Sequence, residues 1–256
     1  MENEQIEKTT AIRLNQLTVA YEAQPVLWNV SVNIPKGTLT AIVGPNGAGK
    51  STLIKSLINL IKPVAGEVDF IFEQTKDENY GNNKNLVAYV PQNGSVDWDF
   101  PTTVLDVVVM GRYGHIGWFK RPKKKDKALA NEMLLKVGMA DFKDKQISQL
   151  SGGQRQRVFL ARALVQEAEI YLMDEPFQGV DAQTEKIIIQ LLKELKTEGK
   201  TIVVVHHDLQ TVPEYFDEVI LINRELIGSG PVETTFTKEL IAKTYRQNQT
   251  KPWEEE

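Results

Sequence analysis

The sequence contains no cysteine, and this absence excludes two kinds of stabilising site. None of the 256 residues can form a disulfide bond, and no thiolate is available to bind a metal ion. A chain of this length can still bury a sizeable apolar interior, since 41% of its residues are hydrophobic. The composition therefore fits one large α/β domain with a small insertion, in a reducing compartment such as the cytoplasm.

The sequence also lacks a long uncharged apolar run. A helix that spans a bilayer needs about 20 predominantly apolar residues. The first ten residues, MENEQIEKTT, are acidic and polar, whereas a signal peptide would be basic and then apolar. We therefore expect a protein that neither crosses a membrane nor is exported through one.

An overall excess of positive charge is missing as well. The formal net charge is -4, whereas nucleic-acid-binding domains are usually basic, so we expect no nucleic-acid partner. One local exception, the basic cluster, has two open interpretations: contact with anionic lipid headgroups, or a solvated loop and helix start. The basic cluster consists of Lys120, Arg121, Lys123, Lys124, Lys125 and Lys127.

Short apolar runs and amphipathic segments alternate along the chain, which predicts strands and helices of an α/β fold. Residues 12 to 34 alternate apolar and polar side chains around Pro25 and Asn29 as turn formers, which indicates antiparallel strands. The other predicted strands are Leu39–Val43, a segment with Val68, Phe70 and Phe72, Leu86–Val90, Ile170–Met173 and Thr201–Val205. The predicted helices are Ser51–Ile61, Thr103–Gly111, Ala128–Val137, Gln154–Gln166 and Ala182–Leu195. Three helices without an intervening strand predict an all-helical insertion at 95–165.

A glycine-rich segment between a predicted strand and a predicted helix fits the phosphate-binding pattern G-x-x-x-x-G-K-[ST]. Its glycines let backbone N–H groups curl around phosphates, and the helix start adds a positive dipole. In this pattern Lys50 reaches the β- and γ-phosphates, and the Ser51 hydroxyl ligates Mg²⁺. The nucleotide-binding residues predicted here are Gly44, Pro45, Asn46, Gly47, Ala48, Gly49, Lys50, Ser51 and Thr52.

Two carboxylates follow the apolar strand that begins at Ile170. Asp174 ends the strand, where P-loop NTPases place a carboxylate toward Mg²⁺. Glu175 projects beyond the strand, so it can orient and deprotonate an attacking water as a general base. Without the upstream phosphate loop, Glu175 would be read as a solvated turn residue before Pro176.

The string Leu150-Ser151-Gly152-Gly153-Gln154 resembles the signature sequence of the ATP-binding cassette (ABC) ATPases. Ser151 and the two glycines open a helix, and this helix start is a second anion site. The resemblance, which runs from about residue 12 to 235, implies a P-loop NTPase core with a mixed, mainly parallel sheet, an antiparallel β subdomain and an inserted helical subdomain. It implies a single domain over 1–256, with a short C-terminal helix and tail at 236–256.

The same resemblance implies roles for other residues. Tyr21 resembles the aromatic residue that stacks on adenine, with a buried strand tyrosine as the alternative. Gln92 resembles the glutamine that contacts Mg²⁺ and the attacking water. His207 resembles the histidine that holds the γ-phosphate, whereas His206 is expected to be packed. The loop predicted to cross between subunits is Gly179, Val180 and Asp181, although Gln178 departs from the small residue that is often found there.

The segment after Gln92 is similar to the ATPase subunits of bacterial manganese, zinc and iron importers. Its aromatic residues Trp98, Phe100 and Tyr113 form either a dock for a membrane partner or part of the insertion's own core. The resemblance implies ATP and Mg²⁺ as cofactors, and manganese as the first choice of cargo before zinc or iron. His115, His206 and His207 show no chelating pattern.

The expected partners follow from the same resemblance. They are a second copy of the chain, which shares each ATP between the phosphate loop of one subunit and the signature of the other, integral membrane permease subunits, and indirectly an extracytoplasmic metal-binding protein. The expected location is the cytoplasmic face of the membrane. The alternatives are an ABC ATPase for iron chelates, a non-transport ABC ATPase, and a nucleotide-gated scaffold without activity.

Overall fold

A computed structural model describes residues 9–22, 24–72, 84–92, 101–117 and 120–246. Its strands are β1 (Thr10–Tyr21), β2 (Gln24–Pro35), β3 (Leu39–Val43), β4 (Ala65–Phe70), β5 (Val87–Val90), β6 (Ile170–Asp174), β7 (Thr201–Val205), β8 (Glu218–Asn223) and β9 (Glu225–Pro231). Its helices are α1 (Lys50–Leu57), α2 (Val104–Met110), α3 (Tyr113–Ile116), α4 (Lys124–Lys136), α5 (Gly152–Leu164), α6 (Ala182–Thr197), α7 (Val212–Tyr215), α8 (Val232–Thr235) and α9 (Lys238–Tyr245). This mixture confirms the α/β class.

The chain divides into two compact units. Unit 1 comprises Met1–Asn83 and Thr201–Glu256, and unit 2 comprises Lys84–Lys200. Within the part of the chain described, no helix is long and apolar enough to cross a membrane.

The antiparallel strands predicted between residues 12 and 34 are present in unit 1. Strand β1 lies between β2 and β4 and is antiparallel to both. The turn was predicted at the wrong place, because Asn29 lies inside β2 with a φ of 48°. Its N–H donates a hydrogen bond to Thr18 Oγ1 at 3.1 Å, and the chain instead reverses between Tyr21 and Gln24. Asn29 tolerates this left-handed conformation, so its turn signal marks an irregularity within the strand.

A second group of strands in unit 1 contains the predicted phosphate-loop strand. Strand β3 is fully buried and pairs in parallel with both β7 and β8. The β8–β9 hairpin was not predicted, although Val219–Ile222 is a continuous buried run like that of β3. The predicted strand around Phe70 ends before Phe72, which stays buried and stacks on Phe70 with 5.9 Å between the ring centroids.

Helix α1 is shorter than the predicted Ser51–Ile61. It ends at Leu57 because Asn59 takes a left-handed φ of 59° and its N–H bonds the Ser56 carbonyl at 3.1 Å. Ile58 remains buried beyond the helix end. The apolar pattern therefore continues through a turn, where periodicity alone cannot distinguish it from helix.

Unit 2 contains a parallel pair of strands, β5 and β6, and a group of helices. Helices α2, α3, α4 and α5 lie between residues 101 and 164. Within the described part of that segment, the strand-like pairing is a single bridge between Thr103 and Gln146. Helices α2, α4 and α5 contact one another. An all-helical stretch is therefore present, and its limits as a subdomain, 95–165, stay a prediction.

The helix ends in unit 2 depend on capping residues. Helix α4 begins four residues before the predicted Ala128, because the Asp126 carboxylate accepts the Lys123 N–H at 2.8 Å. Helix α5 begins two residues before the predicted Gln154, where Ser151 provides the cap.

Near the C-terminus, Thr237 caps α9, within the predicted range 236–256. Trp98, Phe100 and the tail after residue 246 lie outside the described residues.

Candidate active site

Lys50 folds back over the loop that precedes it. Its ammonium donates hydrogen bonds to the carbonyl oxygens of Gly44 and Pro45, both at 2.8 Å, and only 6% of the residue is exposed. The loop therefore curls around the lysine immediately before α1, where helix N–H groups and the helix dipole carry partial positive charge. An anionic ligand such as a phosphate would offset the charge gathered there.

Glycine is required at both ends of this loop. A Cβ at Gly44 would overlap the carbonyl oxygen of Ile222, and one at Gly49 would overlap Leu27 Cδ2. Gly49 also caps α1 with a φ of 92°, a left-handed conformation that favours glycine. The motif glycines are thus explained by close packing against β8 and β2 and by backbone geometry.

Two more of the predicted residues of unit 1 are exposed. Tyr21 ends β1 with 49% of its surface exposed, so the alternative that it is a buried strand residue is wrong. His207, the second residue after β7, is also exposed. Both side chains are therefore accessible to a ligand.

His206, in contrast, is buried as expected. Its Nε2 lies 2.7 Å from Thr211 Oγ1, and the Thr211 hydroxyl donates to the Asp208 carbonyl at 3.1 Å. Its ring packs against Phe216, with centroids 5.1 Å apart. Burial lowers the pKa of His206 to about 4. A neutral imidazole thus stabilises the turn that contains His207. The hydrogen bonds of Thr211 that hold this turn were not predicted from the sequence.

In unit 2, Gln92 and Glu175 lie together although they are far apart in sequence. Gln92 Nε2 donates to Glu175 Oε2 at 2.9 Å and to Gln178 Oε1 at 3.1 Å. Glu175 is partly buried and takes a φ of 55°, which is uncommon for a residue with a side chain. Gln178, noted in the sequence only as a departure, is therefore a direct partner of Gln92.

Asp174 ends β6 and is 1% exposed. Tyr89 lies on the neighbouring strand β5. Its pKa is raised to about 12, first by burial and then by the negative charge of the Asp174 carboxylate. A buried carboxylate at the end of a strand is a suitable ligand for a hard cation such as Mg²⁺.

The signature segment forms a reciprocal cap at the start of α5. The Gln154 N–H donates to Ser151 Oγ at 3.3 Å, and the Ser151 N–H donates to Gln154 Oε1 at 3.0 Å. Leu150 is buried, whereas Ser151 and Gly152 are exposed. The helix start is thus anchored on one side and accessible on the other.

The predicted inter-subunit loop lies beside this helix start. A Cβ at Gly153 would contact Val180 at 3.8 Å. Gly179 has a φ of 70°, and Asp181 caps α6 by accepting the Thr184 N–H at 2.8 Å. This hydrogen bond is the largest influence that lowers the pKa of Asp181. Unit 2 therefore brings together Gln92 with Glu175, and the signature with this loop.

Comparison with known proteins extends the sequence resemblance. The family described as ABC transporter matches residues 27–178. A zinc transport system ATP-binding protein, TroB of Treponema pallidum, is 57% identical over 92% of this chain and 86% of its own length. A manganese transport system ATP-binding protein, MntB of Bacillus subtilis, is 56% identical over 91% of this chain and 92% of its own length.

Solved structures share the fold. A metal-chelate type ABC transporter in an inward-facing conformation matches with a TM-score of 0.79 and 27% identity, covering 95% of this chain and 94% of that chain. A dimeric ATP-binding cassette in a post-hydrolysis state, bound to ADP and phosphate, matches with a TM-score of 0.74 and 30% identity. The match covers 86% of this chain and 98% of that chain.

Proposed function

Because the chain belongs to the ABC transporter family, we propose that its ATP hydrolysis energises the uptake of a divalent metal ion. Manganese is the first choice of cargo, followed by zinc and iron. The cargo proposal rests on the relatives named above, which are called manganese and zinc transport proteins. Among the described residues, no group of three or more His, Cys, Asp and Glu side chains could hold a metal ion, so the ion is expected to bind elsewhere in the transporter.

The observation that carries the catalytic part is the 2.9 Å contact between Gln92 and Glu175. It joins the predicted general base to the residue predicted to contact Mg²⁺ and the attacking water. We assign proton abstraction from the attacking water to Glu175, with Gln92 holding the carboxylate and the water in line. His207 contacts the γ-phosphate in this scheme, and Tyr21 stacks on adenine.

Lys50 and the loop that it closes are assigned to the phosphates. The ammonium and the backbone N–H groups at the start of α1 neutralise charge on the β- and γ-phosphates, which stabilises the transferred phosphoryl group. The remaining nucleotide contacts are assigned to the loop residues Gly44, Pro45, Asn46, Gly47, Ala48, Gly49, Ser51 and Thr52.

The donor chemistry of three side chains fits Mg²⁺. This ion prefers oxygen ligands and is usually held by one or two carboxylates together with substrate phosphates. The Asp174 carboxylate, the Ser51 hydroxyl and the Gln92 amide oxygen supply such ligands. Bound with ATP, the ion would neutralise phosphate charge, while these residues orient the nucleotide.

We further propose that the working unit is a homodimer in which each ATP lies between two subunits. The exposed, capped start of α5 supports this, since it is a second anion site in addition to the phosphate loop. The signature residues Leu150, Ser151, Gly152, Gly153 and Gln154 then serve the partner's ATP, and the loop Gly179, Val180 and Asp181 crosses between subunits. ATP closes the dimer, and hydrolysis reopens it.

The helical stretch of unit 2 is assigned to membrane permease subunits at the cytoplasmic face of the membrane. An extracytoplasmic metal-binding protein would deliver the ion to the permease. An alternative cargo is an iron chelate, and the solved structure described above as a metal-chelate type transporter supports a chelate as the cargo class. Neighbouring genes for a permease and a metal-binding lipoprotein would support an importer over a non-transport ABC ATPase.

Replacing Glu175 by Gln tests the catalytic assignment. Loss of the base should lower ATP turnover by at least about 100-fold and leave an ATP-bound dimer that light scattering detects during gel filtration. Glu198→Gln, which changes an exposed carboxylate on the same unit, should keep the parental rate. A monomeric Glu175→Gln protein that turns over ATP at the parental rate would reject the assignment.

A further inference from the structure

All six side chains of the basic cluster are exposed. They occupy the loop before α4 and the first turn of that helix, in agreement with the loop and helix start considered from the sequence. The chain as a whole carries a net charge of -4. The cluster is therefore a local feature that overall composition does not account for.

The one acidic residue within 120–127 does not neutralise this surface. Asp126 is 3% exposed, and its carboxylate is turned into unit 2. One oxygen accepts the Lys123 N–H at 2.8 Å, and the other lies 3.6 Å from Arg112 Nε. The six basic side chains are thus exposed to solvent, whereas the Asp126 carboxylate makes its contacts inside unit 2.

The position of the cluster is unfavourable for α4 itself. Positive side chains near a helix N-terminus are repelled by the helix dipole, which favours acidic residues there. Lys123 is the N-cap, and Lys124, Lys125 and Lys127 follow it directly. An external anionic surface would offset both the mutual repulsion of these side chains and their repulsion from the dipole.

The composition of the cluster favours a diffuse anionic surface over a protein partner. Five of its six residues are lysines, whereas protein interfaces are depleted in lysine and enriched in arginine and aromatic residues. Dedicated nucleic-acid-binding domains are basic overall, which this acidic chain is not. Clusters of four to eight basic residues at a cytoplasmic membrane surface are typical of anionic lipid recognition.

We propose that the basic cluster binds the anionic lipid headgroups of the membrane that holds the permease. This inference depends on the proposed function in one respect only, which is that the chain is located at the membrane. The lysine ammonium groups contact headgroup phosphates as point charges, and they give the subunit an attachment to the membrane that adds to its contact with the permease.

Vesicle flotation without permease or nucleotide tests the proposal. The full-length chain should float with phosphatidylcholine vesicles that contain 30% phosphatidylglycerol, and not with phosphatidylcholine alone. A cluster variant (Lys120, Lys124, Lys125 and Lys127, each to Gln) should bind the anionic vesicles at least tenfold more weakly. The matched control replaces four scattered exposed lysines, Lys62, Lys186, Lys238 and Lys243, with Gln.

The control variant should bind like the parent, and 0.5 M salt should abolish binding of the parent because it shortens the Debye length to a few ångströms. Equal vesicle binding by parent and cluster variant would overturn the proposal, as would an equal loss in the control variant. Binding of a duplex DNA probe that depends on the cluster, without vesicle binding, would reassign it to nucleic acid. ATP turnover by the cluster variant, measured in parallel, should stay at the parental rate, so a failed lipid contact is distinguishable from a failed ATPase.

Discussion

Two adjacent histidines follow the end of β7 and have different surroundings. His207 is exposed, whereas His206 is buried, bonded to Thr211 and packed against Phe216. Because the Thr211 hydroxyl donates to the Asp208 carbonyl, its oxygen accepts from His206, which requires a proton on Nε2. Burial lowers the pKa of His206 to about 4, so the imidazole is neutral at pH 7 with its proton on Nε2, and it secures the turn in which His207 lies.

Acid should destabilise the protein through His206. Burial lowers the pKa of this imidazole to about 4, below the ordinary value of about 6.5. The unfolded chain then binds the proton more readily, so stability is full above pH 6.5 and falls as the pH drops toward 4. We expect a loss of about 2 kcal/mol in unfolding free energy between pH 7 and pH 5 from this group.

Urea unfolding of the parent and of His206→Gln at both pH values measures this contribution. Gln keeps a donor for Thr211 but does not titrate, so the variant should lose about 2 kcal/mol less than the parent over the same interval. An identical loss in the two proteins would show that protonation of His206 does not control acid stability.

The sequence locates the residues of the site better than it explains their contacts. The patterns GPNGAGKST, LSGGQ and the Asp-Glu pair identify positions, because each chemical role restricts residue type and spacing. The contact of Gln178 with Gln92 joins residues 86 apart. No local pattern encodes that distance, and the same holds for the positive φ of Glu175.

At the scale of elements, Asp126 links the start of α4 to the preceding helices of unit 2. It caps α4 and pairs with Arg112, whose Nη1 also donates to the Val165 carbonyl and to Glu167 Oε2, at 2.8 and 2.7 Å. The two ion pairs differ in exposure: 3% for Asp126 and 61% for Glu167. A buried partner and an exposed one therefore share a single guanidinium.

Asp126→Ala should destabilise the protein by about 3 kcal/mol, because it removes a helix cap and leaves the Arg112 charge, on a side chain that is only 11% exposed, without its buried partner. Glu167→Ala should cost less than about 1 kcal/mol, because water screens the exposed pair. Chemical denaturation of the two variants measures both values. Equal losses would mean that burial does not set the strength of these pairs.

The same region shows why element boundaries were predicted imperfectly. The predicted start of α4 at Ala128 followed apolar periodicity, and the run Lys123–Lys127 has none. The structure starts the helix earlier through a cap that uses an acidic residue within a basic run. The β8–β9 hairpin was not predicted, although Val219–Ile222 carries the same continuous apolar signal as β3.

At the scale of the whole molecule, the start of α1 and the start of α5 are both suited to anions, and each lies in a different compact unit. The start of α1 is occupied by the Lys50 loop, and the start of α5 is capped by Ser151 and exposed. A symmetric dimer can place the first of one subunit against the second of its partner, which creates two equivalent ATP sites. In this proposed dimer, each chain would supply only half of each ATP site.

Mixing two inactive variants tests this division. Lys50→Ala removes the phosphate contact, and Ser151→Glu places a negative charge where the partner's γ-phosphate would bind, so each homodimer should lack ATP turnover. A mixed dimer has one site with both defects and one with neither. An equimolar mixture should therefore regain about a quarter of parental turnover, since half of the dimers are mixed and each has one intact site. If each site were built within one chain, every site would carry one defect, and turnover would stay absent at all mixing ratios.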